Sequence, residues 1–205
     1  MMIPIKRALF GILLMLLAGC AGTEPSRFYM LTSIPGSDAE ILSETVAQDV
    51  SVGVGPINIP DYLDRQPIVT TSNQHGIKLS EFDRWAGSLK DDFSRVLSEN
   101  LSILLSTDRV SLFPWRGSMP MDYQIGVEVI QFDGELGGDV SLIARWAIFG
   151  GNTKKMLVMK KSSFIEPAGA KGYEALVAAQ SRAIGLLSRD MAIAVKGLSQ
   201  GMPGQ

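Results

Sequence analysis

The sequence is poor in the side chains that most enzymes use for chemistry. Its 205 residues include one cysteine, Cys20, and one histidine, His75. A zinc site needs three or four His, Cys or carboxylate ligands. A Ser-His-Asp triad would have to use His75, which lies in a run of Ser, Asn, Gln and Gly that is typical of a loop. We therefore predict a solvated loop histidine, no metal site, no cofactor and no catalytic residue.

Phosphate-binding motifs and a basic surface are also missing. Gly53-Val54-Gly55 lacks the third glycine and the following helix of a dinucleotide loop, and Pro56 comes next. The chain has no P-loop and no G-x-S-x-G elbow. Its 19 basic and 21 acidic residues give a net charge of −2, whereas nucleic-acid binding requires a basic face. The sequence thus favours a protein that is not an enzyme and does not bind nucleic acid.

Long apolar runs are confined to the N-terminus. Lys6 and Arg7 precede an uncharged run, Ala8–Leu17, and the small pair Ala18-Gly19 then precedes Cys20. A basic start, a short apolar centre and a small-residue cleavage site are typical of an export signal. With the cysteine at the cleavage point, the segment resembles a bacterial lipoprotein signal with its lipobox. A retained transmembrane helix and a plain secretory signal are the alternatives, but residues 18–23 are too small and weakly apolar to complete a span of about 20 residues.

The lipobox resemblance implies that residues 1–19 are removed and that Cys20 is acylated. Membrane lipid would then hold the protein through the acylated Cys20. Ala21, rather than Asp, follows the cysteine, which in signals of this type favours the outer membrane, on its periplasmic face. The mature chain would have 186 residues, enough for one domain. We expect a lipidated tether over 20–27, a domain over 28–198 and a flexible tail over 199–205.

Hydrophobic periodicity predicts an α+β fold. Alternation predicts strands, and a spacing of three and four predicts helices over Leu89–Leu105 and from Tyr173 to about Val195. A shift in the alternation near Val129 predicts a bulge. Pro56 and Pro60 predict an edge strand or an irregular segment after Val54. We expect a mostly antiparallel sheet with two amphipathic helices packed on one face. The predicted strands cover 28–31, 50–54, 67–71, 77–79, 109–113, 123–132, 140–148 and 156–165.

Two stretches combine aromatic residues with charge and form a candidate partner surface. Tyr and Arg are frequent interface anchors, so we select Tyr62, Asp64, Arg65, Arg84 and Trp85. The alternative is a structural role: a proline-fixed crossover with Tyr62 packed inward and Arg65 paired to a neighbouring carboxylate. For Trp85 and Arg84, packing and presentation are both open. Asp83 is a candidate cap for the first helix.

These stretches carry a resemblance to the PqiC lipoproteins. Val54–Arg65 followed by Pro67-Ile68-Val69 looks like a characteristic segment of that family. Arg84-Trp85-Ala86, read as opening the first helix, is similar to the next block of the family. Asp122-Tyr123, opening a strand that reaches Phe132, together with Leu142–Trp146 is similar to a third block. The order Gln66-Pro67 departs from the Pro-Gln of many relatives.

The resemblance implies an auxiliary lipoprotein of an MCE-type (phospho)lipid transport system that supports membrane integrity. Its partner would be an MCE-domain periplasmic tunnel protein, and it would dock the far end of that tunnel at the outer membrane. A ring-like homo-oligomer would suit a part that meets a tunnel. A lipoprotein regulator of cell-wall synthesis and a lipid-anchored hydrolase are the alternative functions.

Overall fold

The computed structural model describes residues 24–36, 50–72, 75–115 and 120–201. The signal segment, Cys20 and the end of the predicted tail lie outside the described residues. The described parts form eight strands and two α-helices: β1 (Arg27–Tyr29), β2 (Val52–Asn58), β3 (Pro67–Thr71), β4 (Ile77–Trp85), α1 (Leu89–Leu105), β5 (Val110–Leu112), β6 (Tyr123–Gly134), β7 (Asp139–Gly150), β8 (Met156–Pro167) and α2 (Tyr173–Ser199).

The strands form two mixed sheets. In the five-stranded sheet the order is β5-β2-β6-β7-β8; β2 is parallel to both β5 and β6, and β6, β7 and β8 form an antiparallel meander. In the three-stranded sheet the order is β1-β4-β3, with β1 parallel to β4. The α+β class is confirmed, but the prediction of a mostly antiparallel sheet is wrong. A long crossover through β3, β4 and α1 separates β2 from β5 and β6, and such connections allow parallel pairing.

Both helices pack on one face of the five-stranded sheet and against each other. The ring of Phe93 in α1 meets Phe132 of β6 edge-on, with ring centroids 5.4 Å apart. The side chain of Gln180 in α2 donates to the carbonyl of the same Phe132. The predicted apolar faces are therefore the buried faces. Among the described residues, no helix is both long and apolar enough to cross a membrane.

Ser88 caps the N-terminus of helix α1. Its hydroxyl accepts a hydrogen bond from the backbone N–H of Asp91 at 3.2 Å. A side-chain cap of this kind stabilises a helix by about 1 kcal/mol. Asp83 is therefore not the cap. Strand β4 extends through Trp85, so the Arg84-Trp85-Ala86 block lies at the end of a strand and in the following turn rather than in the helix.

Strand β2 continues past its proline inside the sheet. Pairing with β6 is interrupted between Val54 and Ile57, so Pro56 lies at an irregularity where its missing N–H breaks no ladder bond. The irregular segment is confirmed. β5 pairs only with Val52–Val54, so beyond the irregularity Ile57 and Asn58 pair with β6 alone and lie at an open edge. The predicted bulge in β6 is confirmed by a register shift between Val129 and Gln131.

The segment after β1 lies across both helices. The N–H of Leu31 donates to Asp92 of α1 at 2.6 Å, and the N–H of Thr32 donates to Ser181 of α2 at 3.1 Å. The N–H of Ile34 donates to the buried Asn100 at 2.8 Å. Leu31 and Ile34 are both buried. This extended segment, Leu31–Ile34, therefore joins the two helices on the side away from the sheet.

Candidate partner surface

The segment that connects β2 to β3 lies beside the N-terminus of α1. The carbonyl of Pro60 accepts hydrogen bonds from the N–H groups of Leu63 and Asp64, which closes a turn. Leu63 is 2% exposed and anchors the turn in the core. The N–H of Trp85 donates to the carbonyl of Gln66 at 2.8 Å. The two stretches selected from the sequence are thus neighbours in space.

Tyr62 packs inward and is held by a hydrogen bond. Its hydroxyl donates to Oδ2 of Asp133 at 2.7 Å, and the side-chain amide of Gln131 donates to the other carboxylate oxygen at 2.9 Å. Asp133 is buried near the end of β6. Burial, and then the hydrogen bond to Asp133, raise the pKa of Tyr62 above its ordinary value. Tyr62 therefore fastens the connecting segment to the sheet.

Asp64 supports the start of helix α1. Its Oδ1 accepts hydrogen bonds from the hydroxyl of Ser88 at 3.2 Å and from the backbone N–H of Lys90 at 3.3 Å. The first N–H groups of a helix lack internal partners and carry partial positive charge, so a carboxylate there is stabilising. Asp64 is exposed, but its charge is already used within the chain.

Trp85 is 3% exposed and belongs to the hydrophobic core. Of the two roles left open for it, packing and presentation, the structure shows packing. Trp85 is therefore corrected from a surface residue to a core residue. The alternation of β4 accounts for this position, because Asp83 and Trp85 point inward while Phe82 and Arg84 occupy the opposite face.

Arg65 and Arg84 differ in their charge environment from four other arginines of the described chain. Arg27, Arg95, Arg145 and Arg182 all form ion pairs. Within the described ranges no carboxylate pairs with Arg65 or Arg84, so the predicted pairing of Arg65 with Asp61 or Asp64 does not occur. Arg65 is exposed. Arg84 is half-buried, and its Nε has no hydrogen-bond partner in the described part of the chain.

Asp83 is the centre of a buried polar cluster that sequence reasoning missed. It accepts hydrogen bonds from Nε of Arg27 at 2.8 Å, from the hydroxyl of Tyr29 at 2.8 Å and from the hydroxyl of Ser80 at 3.0 Å. Burial alone would raise the pKa of this carboxyl, but the hydrogen bonds from Tyr29, Arg27 and Ser80 hold it below its usual range. The cluster binds β1 to β4. The predicted strand ends at residue 79, so sequence reasoning had no signal for this cluster.

A second surface lies on the helix-free face of the five-stranded sheet. Its shallow depression is lined by Pro56, Gly126, Ala147, Phe149 and Met159. Met159 is 58% exposed and stands opposite Ala147 in the register of β7 and β8. The sequence contains a signal for this surface, because Phe149 and Met159 are apolar residues at outward positions of alternating strands. The strand predictions considered only the inward apolar residues and therefore missed it.

Polar groups elsewhere have structural roles. Ser162 on β8 accepts a hydrogen bond from the indole N–H of Trp146 at 2.9 Å and donates to Asp190 of α2 at 2.6 Å. Lys160 pairs with the same Asp190 at 2.9 Å. This network ties α2 to the sheet. His75 is exposed beside the β3–β4 turn, and the described residues contain no cluster of three or more potential metal ligands.

Comparison with known proteins identifies the family. Residues 29–192 match the model of the ABC-type transport auxiliary lipoprotein component. The chain belongs to this family. The match covers every strand and helix from β2 into α2, so the expected family resemblance is confirmed. No curated relative matches the chain.

Solved structures show the same fold. Protein XCC0632 from Xanthomonas campestris, a member of family DUF330, is 11% identical and superposes with a TM-score of 0.68 over 85% of this chain and 99% of its own. An uncharacterized protein is 17% identical and also has a TM-score of 0.68, over 84% of this chain and 99% of its own. At these identities the likeness establishes the fold alone.

Proposed function

We propose that this family member is an auxiliary docking subunit, without enzymatic activity, of an MCE-type system that moves phospholipid between membranes. It sits on the periplasmic face of the outer membrane and is held there by the acylated Cys20. Its role is to fix the far end of an MCE-domain tunnel protein, and in this way it supports the integrity of the envelope. The observation that carries the proposal is the family match over residues 29–192 to a transport auxiliary lipoprotein.

The described polar side chains support docking rather than catalysis. Tyr62 and Asp64 hold the connecting segment in place, and Ser162 is committed to Asp190 and Trp146. What remains available for a partner is charge at the surface, above all the exposed and unpaired Arg65. Arginine is enriched among the residues that dominate interface energies. We therefore place the tunnel protein at Arg65, on the rigid turn fixed by Tyr62 and Leu63.

Site-specific photo-crosslinking in the periplasm tests this placement. A photoreactive residue at position 65 is expected to capture an MCE-domain protein, identified by mass spectrometry. Lys161 is the matched control, since it is also an exposed cation and lies on β8 of the other sheet. A photoreactive residue there is expected to give little of this product. Recovery of cell-wall enzymes instead would support the regulator of wall synthesis and contradict the docking role.

Charge reversal at the same positions adds a quantitative readout. Arg65→Glu is expected to weaken binding to the purified tunnel protein about tenfold, the cost of losing roughly 1.4 kcal/mol at an interface anchor. Lys161→Glu is expected to leave binding unchanged, and both variants should unfold at the wild-type urea concentration. His75→Ala is expected to leave function intact. Loss of function in that variant with normal folding would favour a hydrolase.

A further inference from the structure

The outer face of the three-stranded sheet exposes apolar side chains beside an unpaired arginine. Phe28 is 64% exposed and Met30 is 56% exposed. Phe28 stands opposite Arg84 in the register of β1 and β4, and residues in register point to the same face of a sheet. Phe82, two residues before Arg84, is half-buried and is not among the residues packed against the core. We call the surface formed by Phe28, Met30, Phe82 and Arg84 the β1 face.

The β1 face is set apart from the core side of the same sheet. On the core side, the buried Asp83 and Trp85 stand opposite Arg27 and Tyr29 in the register of β4 and β1. The buried Asp83 cluster fixes which side of β1 faces inward. The outward position of the apolar side chains of the β1 face is therefore set by the fold. Two adjacent exposed apolar side chains on a fixed strand, Phe28 and Met30, indicate a contact surface.

The position of the β1 face along the chain selects the occupant. Phe28 lies eight residues after Cys20, a separation that spans about 29 Å at most when fully extended. An acylated Cys20 would therefore keep Phe28 within about 29 Å of the bilayer surface. A distant protein partner has no such constraint.

The charge of the face suits the same occupant. Arg84 lacks a carboxylate partner in the described chain, and Arg65, which is also unpaired, lies next to Gln66, the residue whose carbonyl contacts Trp85. Anionic lipids attract each nearby Lys or Arg by about 1 kcal/mol. Aromatic and Met side chains gain free energy as they leave water for the headgroup and acyl boundary.

We infer that the β1 face lies against the phospholipid surface, with Phe28 and Met30 inserted at the headgroup level and Arg84 near the lipid phosphates. This orientation rests on the proposed anchor at Cys20. With this contact, the tethered domain has a defined orientation relative to the membrane. It also leaves Arg65 at the rim of the face, where a tunnel end would meet the domain next to the bilayer.

Quenching by lipid-borne groups tests the orientation. The full mature lipoprotein with Phe28→Cys is labelled with an environment-sensitive fluorophore and reconstituted in vesicles of phosphatidylethanolamine and phosphatidylglycerol that contain brominated phospholipid. The emission of the label at position 28 is expected to shift to shorter wavelength, and its fluorescence is expected to be quenched by the brominated lipid. Met30→Cys provides an independent second site, and circular dichroism confirms that each variant is folded.

Ile193→Cys is the matched control. Ile193 is an apolar side chain that is 56% exposed, and it lies 20 residues beyond Tyr173, whose ring is 6.4 Å from that of Tyr29. Twenty helical residues span about 30 Å, so this label is expected to remain in water. Equal quenching at 28, 30 and 193, or none at 28 and 30 in vesicle-bound protein, would overturn the orientation.

Lipid attachment at Cys20 is measured separately from the membrane contact of the β1 face, so failure of one proposal can be distinguished from failure of the other. Intact mass shows whether Cys20 carries lipid, and flotation shows whether the protein is bound. If Cys20 proves unmodified, the anchor is wrong. The same variants, with Cys20→Ser so that the introduced cysteine alone is labelled, are then held on nickel-chelating lipid by a histidine tag in place of residues 1–19. Quenching at position 28 but not 193 would still support the β1 face.

Discussion

At the residue scale, Asp83 shows how one buried charge fixes the direction of a strand. Strand β1 has three residues and lies at the edge of its sheet, too short to be stable by itself. Hydrogen bonds from Arg27, Tyr29 and Ser80 to one carboxylate hold it in place. These hydrogen bonds offset the cost of burying the carboxylate charge. If the donors are removed, the buried carboxylate is left without partners and the fold is destabilised.

We predict that Asp83→Asn lowers the free energy of unfolding by about 1–3 kcal/mol at pH 7, because the amide cannot accept from all three donors. Urea unfolding measures this change. Asp139→Asn is the control, since Asp139 is exposed at the start of β7, and is expected to stay within about 0.5 kcal/mol of wild type. Equal effects in the two variants would contradict the role of the cluster.

The pH dependence of stability follows from the same carboxylate. The pKa of Asp83 in the folded chain lies below its usual value, so its stabilising contribution is fully present above the unfolded-state value of about 4. The contribution is lost as the pH falls through the folded-state pKa. Asp83→Asn is therefore expected to lose stability less steeply than wild type below about pH 4. Asp122, whose pKa is lowered by hydrogen bonds from the N–H and hydroxyl of Ser51, accounts for part of the remaining slope.

At the scale of elements, a buried amide links three parts of the chain. Oδ1 of Asn100 in α1 accepts from the N–H of Ile34, and its Nδ2 donates to the hydroxyl of Ser188 in α2 at 3.1 Å. The Ser188 hydroxyl in turn donates to the carbonyl of Ile184 at 2.7 Å. All the polar atoms in this chain of bonds have partners, which makes the network a specific connection between the helices and the segment that crosses them.

We predict that Asn100→Ala lowers the free energy of unfolding by about 1–3 kcal/mol and speeds hydrogen exchange at Ile34, because a buried N–H loses its acceptor. Thermal or urea unfolding and amide exchange by NMR measure the two effects. Asn58→Ala removes the same group from an exposed position at the end of β2. Unchanged exchange at Ile34 in the Asn100 variant would show that the crossing segment is held by packing alone.

At the scale of the whole molecule, the proposed anchor at Cys20 precedes the folded core in the sequence. The buried core of the described chain starts at Leu31, eleven residues beyond Cys20. We predict that Cys20→Ala abolishes fatty-acid labelling and membrane attachment but leaves the urea midpoint unchanged, since no core residue is altered. Metabolic labelling, cell fractionation and unfolding measure the three properties. A variant that stays membrane-bound would refute the anchor.

Ala21→Asp separates acylation from sorting. This variant is expected to keep its fatty acids but to fractionate with the inner membrane, because Asp after the cysteine tends to mark retention there in signals of this type. Outer-membrane recovery of the variant would mean that sorting depends on something other than this residue. The ring-like homo-oligomer stays a prediction, which the mass of the purified lipoprotein in detergent would test.

Sequence reasoning succeeded where the determinants are local. The span of α1 and the start of α2 follow from apolar spacing, and the bulge in β6 from a shift in alternation. It failed for Trp85, Asp83 and the parallel pairing of β2. For Asp83 and β2 the deciding neighbour is distant in sequence: Arg27 for Asp83 and β6 for β2. Trp85 lies in the part of β4 beyond the predicted strand 77–79, so alternation was not applied to it.

The sequence by itself determined the α+β class, the two amphipathic helices and the family, because periodicity and short motifs are properties of the chain. It also supplies the cysteine and the lipobox on which the anchor proposal rests. Only the tertiary structure decided which charged residues are used up inside the fold and which remain at the surface. The fold uses Tyr62 and Asp64 in hydrogen bonds and buries Trp85 in the core. In the described chain it provides no carboxylate partner for Arg65 or Arg84. Burial and pairing depend on contacts between remote segments, and these are fixed only when the two sheets and the helices pack together.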